Sequence, residues 1–310
     1  MRIRDAVNAL MIGAALCLIT TAADAKPKAK GATFRDCTDV CPEMVTVKPG
    51  DFMMGSPASE VGRYDNEGPV HPVSIKHSFA VGKYDITRDQ YAEFVAETQR
   101  ADPADCWTFT EGGSLVQTAG LNWHNPGFAQ TGRDPVVCVG WDDAKAYVAW
   151  LSAKTGHAYQ LLSEAEFEYA ARAGVTKSRY GSDVEAQMCA DMNFGELDYS
   201  AKHSGDTDVT KACHDGYAYT SPVGSFPPNA FGLYDMIGDV LIWTEDCWNA
   251  SYKDAPADGS PLVAASCATH AWRGGAWADS ARYMRAAYRN GPSDATFRGT
   301  HIGFRVARAL

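Results

Sequence analysis

Cysteine and histidine side chains most readily carry redox or metal chemistry, and this 310-residue chain has nine of the first and eight of the second. Apart from Cys17, the cysteines are Cys37, Cys41, Cys106, Cys138, Cys189, Cys213, Cys247 and Cys267. Thiolate metal sites and dithiol redox centres favour two residues between their cysteines, whereas Cys37 and Cys41 are separated by three. An even set in an exported chain reads instead as a disulfide framework. Sequence order suggests the pairs Cys37–Cys41, Cys106–Cys138, Cys189–Cys213 and Cys247–Cys267, while other pairings stay open. The histidines (71, 77, 124, 157, 203, 214, 270 and 301) include no i,i+4 pair and no His-rich helix, so each reads as structural or superficial.

Export is read from the N-terminus. Arg2 and Arg4 precede the apolar run Ala9–Ile19, and Ala23-Asp24-Ala25 supplies small residues where a signal peptidase cuts. The run is shorter than the roughly 20 residues a membrane span needs, so no span is expected. Leu16 before Cys17 is too bulky for a lipoprotein signal. Residues 1–25 are therefore taken as a signal peptide, 26–43 as an N-terminal extension carrying Cys37 and Cys41, and 44–310 as one domain. The expected location is the periplasm.

With 45% hydrophobic and 21% charged residues, the chain has the balance of a globular protein, not of a disordered one. A net charge of −10 argues against nucleic acid as a partner, since phosphate neutralisation needs a basic face. Helix signals are few. Thr87-Arg88-Asp89-Gln90 and Ser163-Glu164-Ala165-Glu166 are capping boxes, and a further helix is predicted over Asp142–Lys154 with Gly156 as its stop. Strands are predicted at Val47–Gly55, Val70–Tyr84, Ala271–Ala276 and Ile302–Ala307. Residues 175–228 show no period.

Seven blocks in order then become specific. Among them are Gly50-Asp51-Phe52-Met53-Met54-Gly55-Ser56, Tyr84-Asp85-Ile86-Thr87-Arg88-Asp89, Leu162-Ser163-Glu164-Ala165-Glu166-Phe167-Glu168-Tyr169-Ala170-Ala171-Arg172, Phe231-Gly232-Leu233-Tyr234-Asp235-Met236, Arg273-Gly274-Gly275-Ala276-Trp277 and Ile302-Gly303-Phe304-Arg305. In these the chain resembles the sulfatase-modifying factor family, the domain of formylglycine-generating enzymes. The resemblance implies an α+β, C-type-lectin-like single domain with little regular secondary structure. The sugar-binding signatures of C-type lectins do not occur.

Formylglycine-generating enzymes oxidise a substrate cysteine with dioxygen, using copper(I) on two cysteines placed six and eleven residues after the Arg of Arg-Gly-Gly. Counted from Arg273, those positions are Asp279 and Met284. A carboxylate and a thioether do not make the two-thiolate site that copper(I) prefers, so copper is not expected. Family branches without the pair exist. The iron-dependent sulfoxide synthases need an extra helical domain for which this chain has no room. The periplasmic enzyme that oxidises the chromophore precursor of pyoverdine siderophores shares the size and export signal. On that frame the site is the groove of segment 273–289. Asp279 would serve as general base or cation binder, Trp277 as a stacking face and Arg282 as anchor for a carboxylate or carbonyl.

The resemblance also implies structural calcium, a hard cation served by oxygen ligands. One site would use the Asn193 and Asp215 side chains with the carbonyls of Phe194 and Tyr217. A second would use Asp235 with the carbonyls of Gly238 and Val240. Its further carboxylate is replaced by Ile242, and Asp239 is the residue that could compensate. Two functions follow: an oxidative tailoring enzyme for a peptide or peptide-like substrate, or a non-catalytic, calcium-stabilised module that recognises a protein or peptide partner.

Overall fold

The computed structural model describes residues 31–38 and 40–310, so the signal-peptide reading of 1–25 lies outside the described residues. The strands in chain order are β1 (Thr33–Phe34), β2 (Met44–Val47), β3 (Gly50–Met54), β4 (His71–Ile75), β5 (Phe79–Gly82), β6 (Asp105–Phe109), β7 (Leu115–Ala119), β8 (Tyr159–Leu161), β9 (Leu241–Cys247), β10 (Thr269–Arg273), β11 (Arg289–Asp294), β12 (Ile302–Phe304) and β13 (Val306–Ala309). The helices are α1 (Arg88–Thr98), α2 (Trp141–Thr155), α3 (Glu164–Arg172) and the single turns α4 (Glu185–Met188) and α5 (Leu197–Ser200).

Each long helix starts as its local chemistry dictates. The Thr87 hydroxyl accepts the Gln90 N–H, and the Gln90 side chain accepts the Thr87 N–H. Ser163 and Glu166 make the same reciprocal pair at α3. At its other end α2 stops at Gly156, whose φ of 72° is the left-handed cap glycine adopts freely.

One antiparallel sheet runs β1-β2-β5-β13-β8, bringing the last strand into the middle of the first ones. A second runs β11-β10-β9-β12, in which only β12 pairs parallel. Two hairpins, β3-β4 and β6-β7, complete the strands. The predicted strand Ile302–Ala307 is two strands broken at Arg305. That side chain is fully buried and turned onto the carbonyls of Gly82 and Tyr234. The predicted Val70–Tyr84 is likewise split, at Lys76-His77-Ser78. Residues 175–228 are irregular apart from the two short turns, and the Cys189–Cys213 disulfide crosses them.

All four suggested disulfides form: Cys37–Cys41, Cys106–Cys138, Cys189–Cys213 and Cys247–Cys267. The core has two parts, one of aromatics where α1 and α2 pack on both sheets (Tyr91, Phe94, Tyr147, Phe304), the other around α3 (Phe167, Tyr169, Met236). Four buried arginines knit the parts together. Arg273 meets Glu168 at 2.6 Å, Arg285 meets Glu67 at 2.5 Å, Arg289 meets Glu164 at 2.7 Å and Arg305 meets Asp85 at 2.9 Å. A buried charge is tolerated only when paired, so removing one partner costs about 3–5 kcal/mol.

Candidate functional site

Three of these arginines, Arg273, Arg285 and Arg289, belong to segment 273–289, so its path is fixed by ion pairs on both sides of the expected site. Gly274 and Gly275 let it turn sharply at φ of 106° and 77°. A Cβ on Gly274 would lie 3.2 Å from the Phe167 ring, which is why the Arg-Gly-Gly block is small where it crosses α3.

Asp279 is half-buried. Its carboxylate accepts the Ala276 N–H at 2.9 Å, and its carbonyl accepts the Gly195 N–H at 2.7 Å. Burial pushes its carboxyl up to about 7, with Asp208 adding to the rise, while the Ala276 N–H and Arg282 oppose it. Arg282 is exposed, donates to the Tyr64 hydroxyl and lies 4.5 Å from the Tyr283 ring centre. Asp208 accepts from the Ser280 and Tyr283 hydroxyls.

Trp277 departs from its expected role. It is 1% exposed, its indole N–H is spent on the Thr300 carbonyl, and its ring is surrounded by Phe109, Phe128, Tyr199 and Tyr219. A ring so enclosed positions the segment and cannot stack on a ligand. The half-buried rings near this segment are Tyr64 and Tyr283, both packed against Tyr288, which is itself buried. Tyr64 and Tyr283 stack at 6.2 Å, and Tyr283 and Tyr288 meet at 5.1 Å. Burial, then the charge of Asp279, raises the Tyr288 phenol well above its usual range, so it stays protonated. The arrangement offers a base that ionises near neutral pH, a phenol donor and an exposed guanidinium. Tyr283 lay within the predicted segment, but Tyr64 and Asp208 carry no sequence signal pointing there.

Of the first expected calcium set, Asp215 links the segments of Phe194 and Tyr217 through their N–H groups, at 3.1 and 2.8 Å. Asn193 gives its amide protons to the Tyr219 carbonyl and to Asp239, leaving a buried Oδ1 without any donor. Burial, with further contributions from Glu196 and Asp198, pushes Asp215 up to about 8. Ligand atoms of Glu196, Asp198 and His214 lie within 4.8 Å of one another nearby. The unpartnered Asn193 oxygen and the mutually repelling carboxylates of Asp215, Glu196 and Asp198 are the oxygen donors of this stretch, of the kind a hard divalent cation prefers. Glu196 and Asp198 were not singled out from sequence, because an acidic pair in an irregular stretch has no distinguishing spacing.

The second expected set does not fit. The Asp235 carboxylate accepts the Gly224 N–H, and the carbonyls of Tyr234 and Asp235 accept from Arg305, whose cation already occupies that corner opposite Asp85. Gly238 and Val240 sit in a tight turn, Val240 N–H to Gly238 carbonyl. Ile242 is buried within β9 and supplies no oxygen. Asp239 Oδ1 accepts from Asn193 and the Ser221 N–H, while its Oδ2 is buried without a hydrogen-bond partner among the described residues.

Residues 29–310 match the sulfatase-modifying factor enzyme 1-like domain. The chain belongs to the sulfatase-modifying factor family. It is 31% identical to the formylglycine-generating enzyme of Mycobacterium tuberculosis, over 85% of this chain and 96% of that one. It is also 31% identical to a bovine protein named inactive C-alpha-formylglycine-generating enzyme 2, over 68% of this chain and 73% of that one. Among solved structures, PvdO from Pseudomonas aeruginosa is 40% identical and superposes with a TM-score of 0.77, covering 91% of this chain and 100% of that chain. The α+β sulfatase-modifying factor fold with few helices is thereby established, and members of this family oxidise peptides. Among the described residues, no helix is long and apolar enough to cross a membrane.

Proposed function

We propose that the protein is an exported oxidative tailoring enzyme for a peptide or peptide-like substrate, working without thiolate-bound copper. The observation that carries this reading is that every described cysteine is in a disulfide while Asp279, near neutral pKa, stands in the segment where the family's oxidases place their thiolates. Four disulfides suit an oxidising compartment, which supports the periplasm.

Arg282 anchors a substrate carboxylate or carbonyl, and Tyr64 and Tyr283 offer a face for a planar group. Asp279, ionised, takes the proton whose loss makes the substrate electron-rich. In that form the substrate passes an electron pair to dioxygen, leaving oxidised product and hydrogen peroxide. The Asn193 and Asp215 side chains with the carbonyls of Phe194 and Tyr217 would hold a calcium ion, which would brace the loop that Gly195 joins to Asp279. The test is oxidation of a pyoverdine-type chromophore precursor, followed by mass spectrometry as loss of a hydrogen pair. Asp279→Asn lowers the rate about 100-fold or more while the fold persists.

A second reading, a calcium-stabilised module that recognises a partner without catalysis, is favoured by the bovine relative named inactive. It is the reading left standing if wild type and Asp279→Asn are equally silent.

A further inference from the structure

Between hairpin β3-β4, the turn at residues 57–60 and the end of α3 lies a cavity of about 350 Å³ that the proposed chemistry does not use. Its size falls in the range of small-molecule sites. The walls are apolar, made by Phe52, Met53, Val70, Tyr169 and Val175. Met53 and Val70 remain 54% and 38% exposed, so large apolar side chains are left uncovered at its edge.

The charged groups of the lining are two carboxylates, Asp51 and Glu60, and one guanidinium, Arg172. Asp51 is exposed and, among the described residues, makes no ion pair or side-chain hydrogen bond. Glu60 meets Arg285 at 2.9 Å with Arg285 also paired to Glu67, a trio of net −1, while Arg172 and Arg273 share Glu168 in a trio of net +1, so the excess negative charge of the cavity is that of the exposed Asp51. The cation in the lining, Arg172, has no nitrogen to spare. Its Nε bonds Glu168, its Nη1 the Lys177 carbonyl and its Nη2 the Gly55 carbonyl. An anionic ligand would therefore meet two carboxylates and a committed guanidinium, whereas a cation meets complementary charge.

We propose that this cavity binds an organic cation with an apolar body, an alkylammonium group on a hydrocarbon stem. The stem displaces water from the Phe52, Val70 and Val175 walls, and the ammonium sits between Asp51 and Glu60. The inference goes beyond the oxidative reading and does not depend on it, since binding requires no turnover.

The experiment is a ligand-observed NMR titration of the full chain with hexylammonium, and with hexanesulfonate and hexanol as matched controls. Hexylammonium is expected to bind saturably and more tightly than either control. Asp51→Asn, at an exposed position that does not endanger folding, weakens it about fivefold, the scale of one exposed charge pair. Val175→Trp, which fills the cavity from its rim, abolishes it. No saturable binding, equal binding of hexanesulfonate or hexanol, or unchanged binding in both variants overturns the proposal.

Discussion

The Gly195 N–H donates to the Asp279 carbonyl over 2.7 Å, joining the loop of the candidate cation site to the candidate active segment. A Cβ on Gly195 would stand 2.9 Å from the Ala278 carbonyl oxygen, so the approach requires glycine. Neighbouring bonds repeat the link. Trp277 N–H donates to the Asp239 carbonyl, Asp239 N–H to the Asn193 carbonyl, and Asn193 Nδ2 to the Asp239 carboxylate. Whatever holds Asn193 and Asp215 therefore holds Asp279.

Calcium removal is expected to lower both stability and activity. At a hundredfold excess over its dissociation constant, a native-state ligand contributes about 2.7 kcal/mol. The sign of the pH dependence follows from Asp215, whose folded pKa of about 8 lies above its ordinary value of 3.8. Without cation, the protonated carboxyl stabilises the fold fully below pH ~4, and that contribution is lost as pH rises through about 8. Calcium needs the ionised form, so its affinity rises over the same window. Thermal melts with and without chelator at several pH values measure both effects.

Oxidation should rise with pH through about 7 as Asp279 ionises. Asp279→Asn should lower kcat about 100-fold and flatten that profile. Gly195→Ala should shift the carbonyl it crowds and reduce kcat with Asp279 intact. Steady-state kinetics across pH separates these effects from a change in KM alone.

Glu168 serves two arginines at once, Arg172 at 2.8 Å and Arg273 at 2.6 Å, and accepts the Gly55 N–H. Glu168→Ala should cost about 3–5 kcal/mol by leaving buried guanidinium groups unpaired. Chemical denaturation checks this, and an unchanged midpoint would count against the buried pairing.

The disulfides should not contribute equally. Cys106–Cys138 spans 32 residues and Cys37–Cys41 only 4. Loop-closure entropy assigns the longer one roughly 3–4 kcal/mol and the shorter one less. Paired Cys→Ser variants compared by denaturant midpoint test the ranking.

The helices were legible because their signals are local: Thr87 with Gln90, Ser163 with Glu166, Gly156 as a stop. Strand β9 was not, since Leu241-Ile242-Trp243 is buried on both faces and lacks the alternation that marks a half-exposed strand. The break at Arg305 depends on carbonyls far away in the chain. At the site, Asp279 and Arg282 could be named from their segment, but Tyr64 reaches Arg282 across 218 residues. Trp277 reads as a stacking face in sequence only because its enclosing rings come from four other segments.

The most direct test is oxidation of the chromophore precursor under air by protein stripped of copper with a chelator, wild type beside Asp279→Asn, read by mass spectrometry. Copper-free wild type is expected to remove the hydrogen pair, and Asp279→Asn to do so at about one hundredth of the rate or less. Oxidation that requires copper, or that proceeds equally in both proteins, would contradict this expectation.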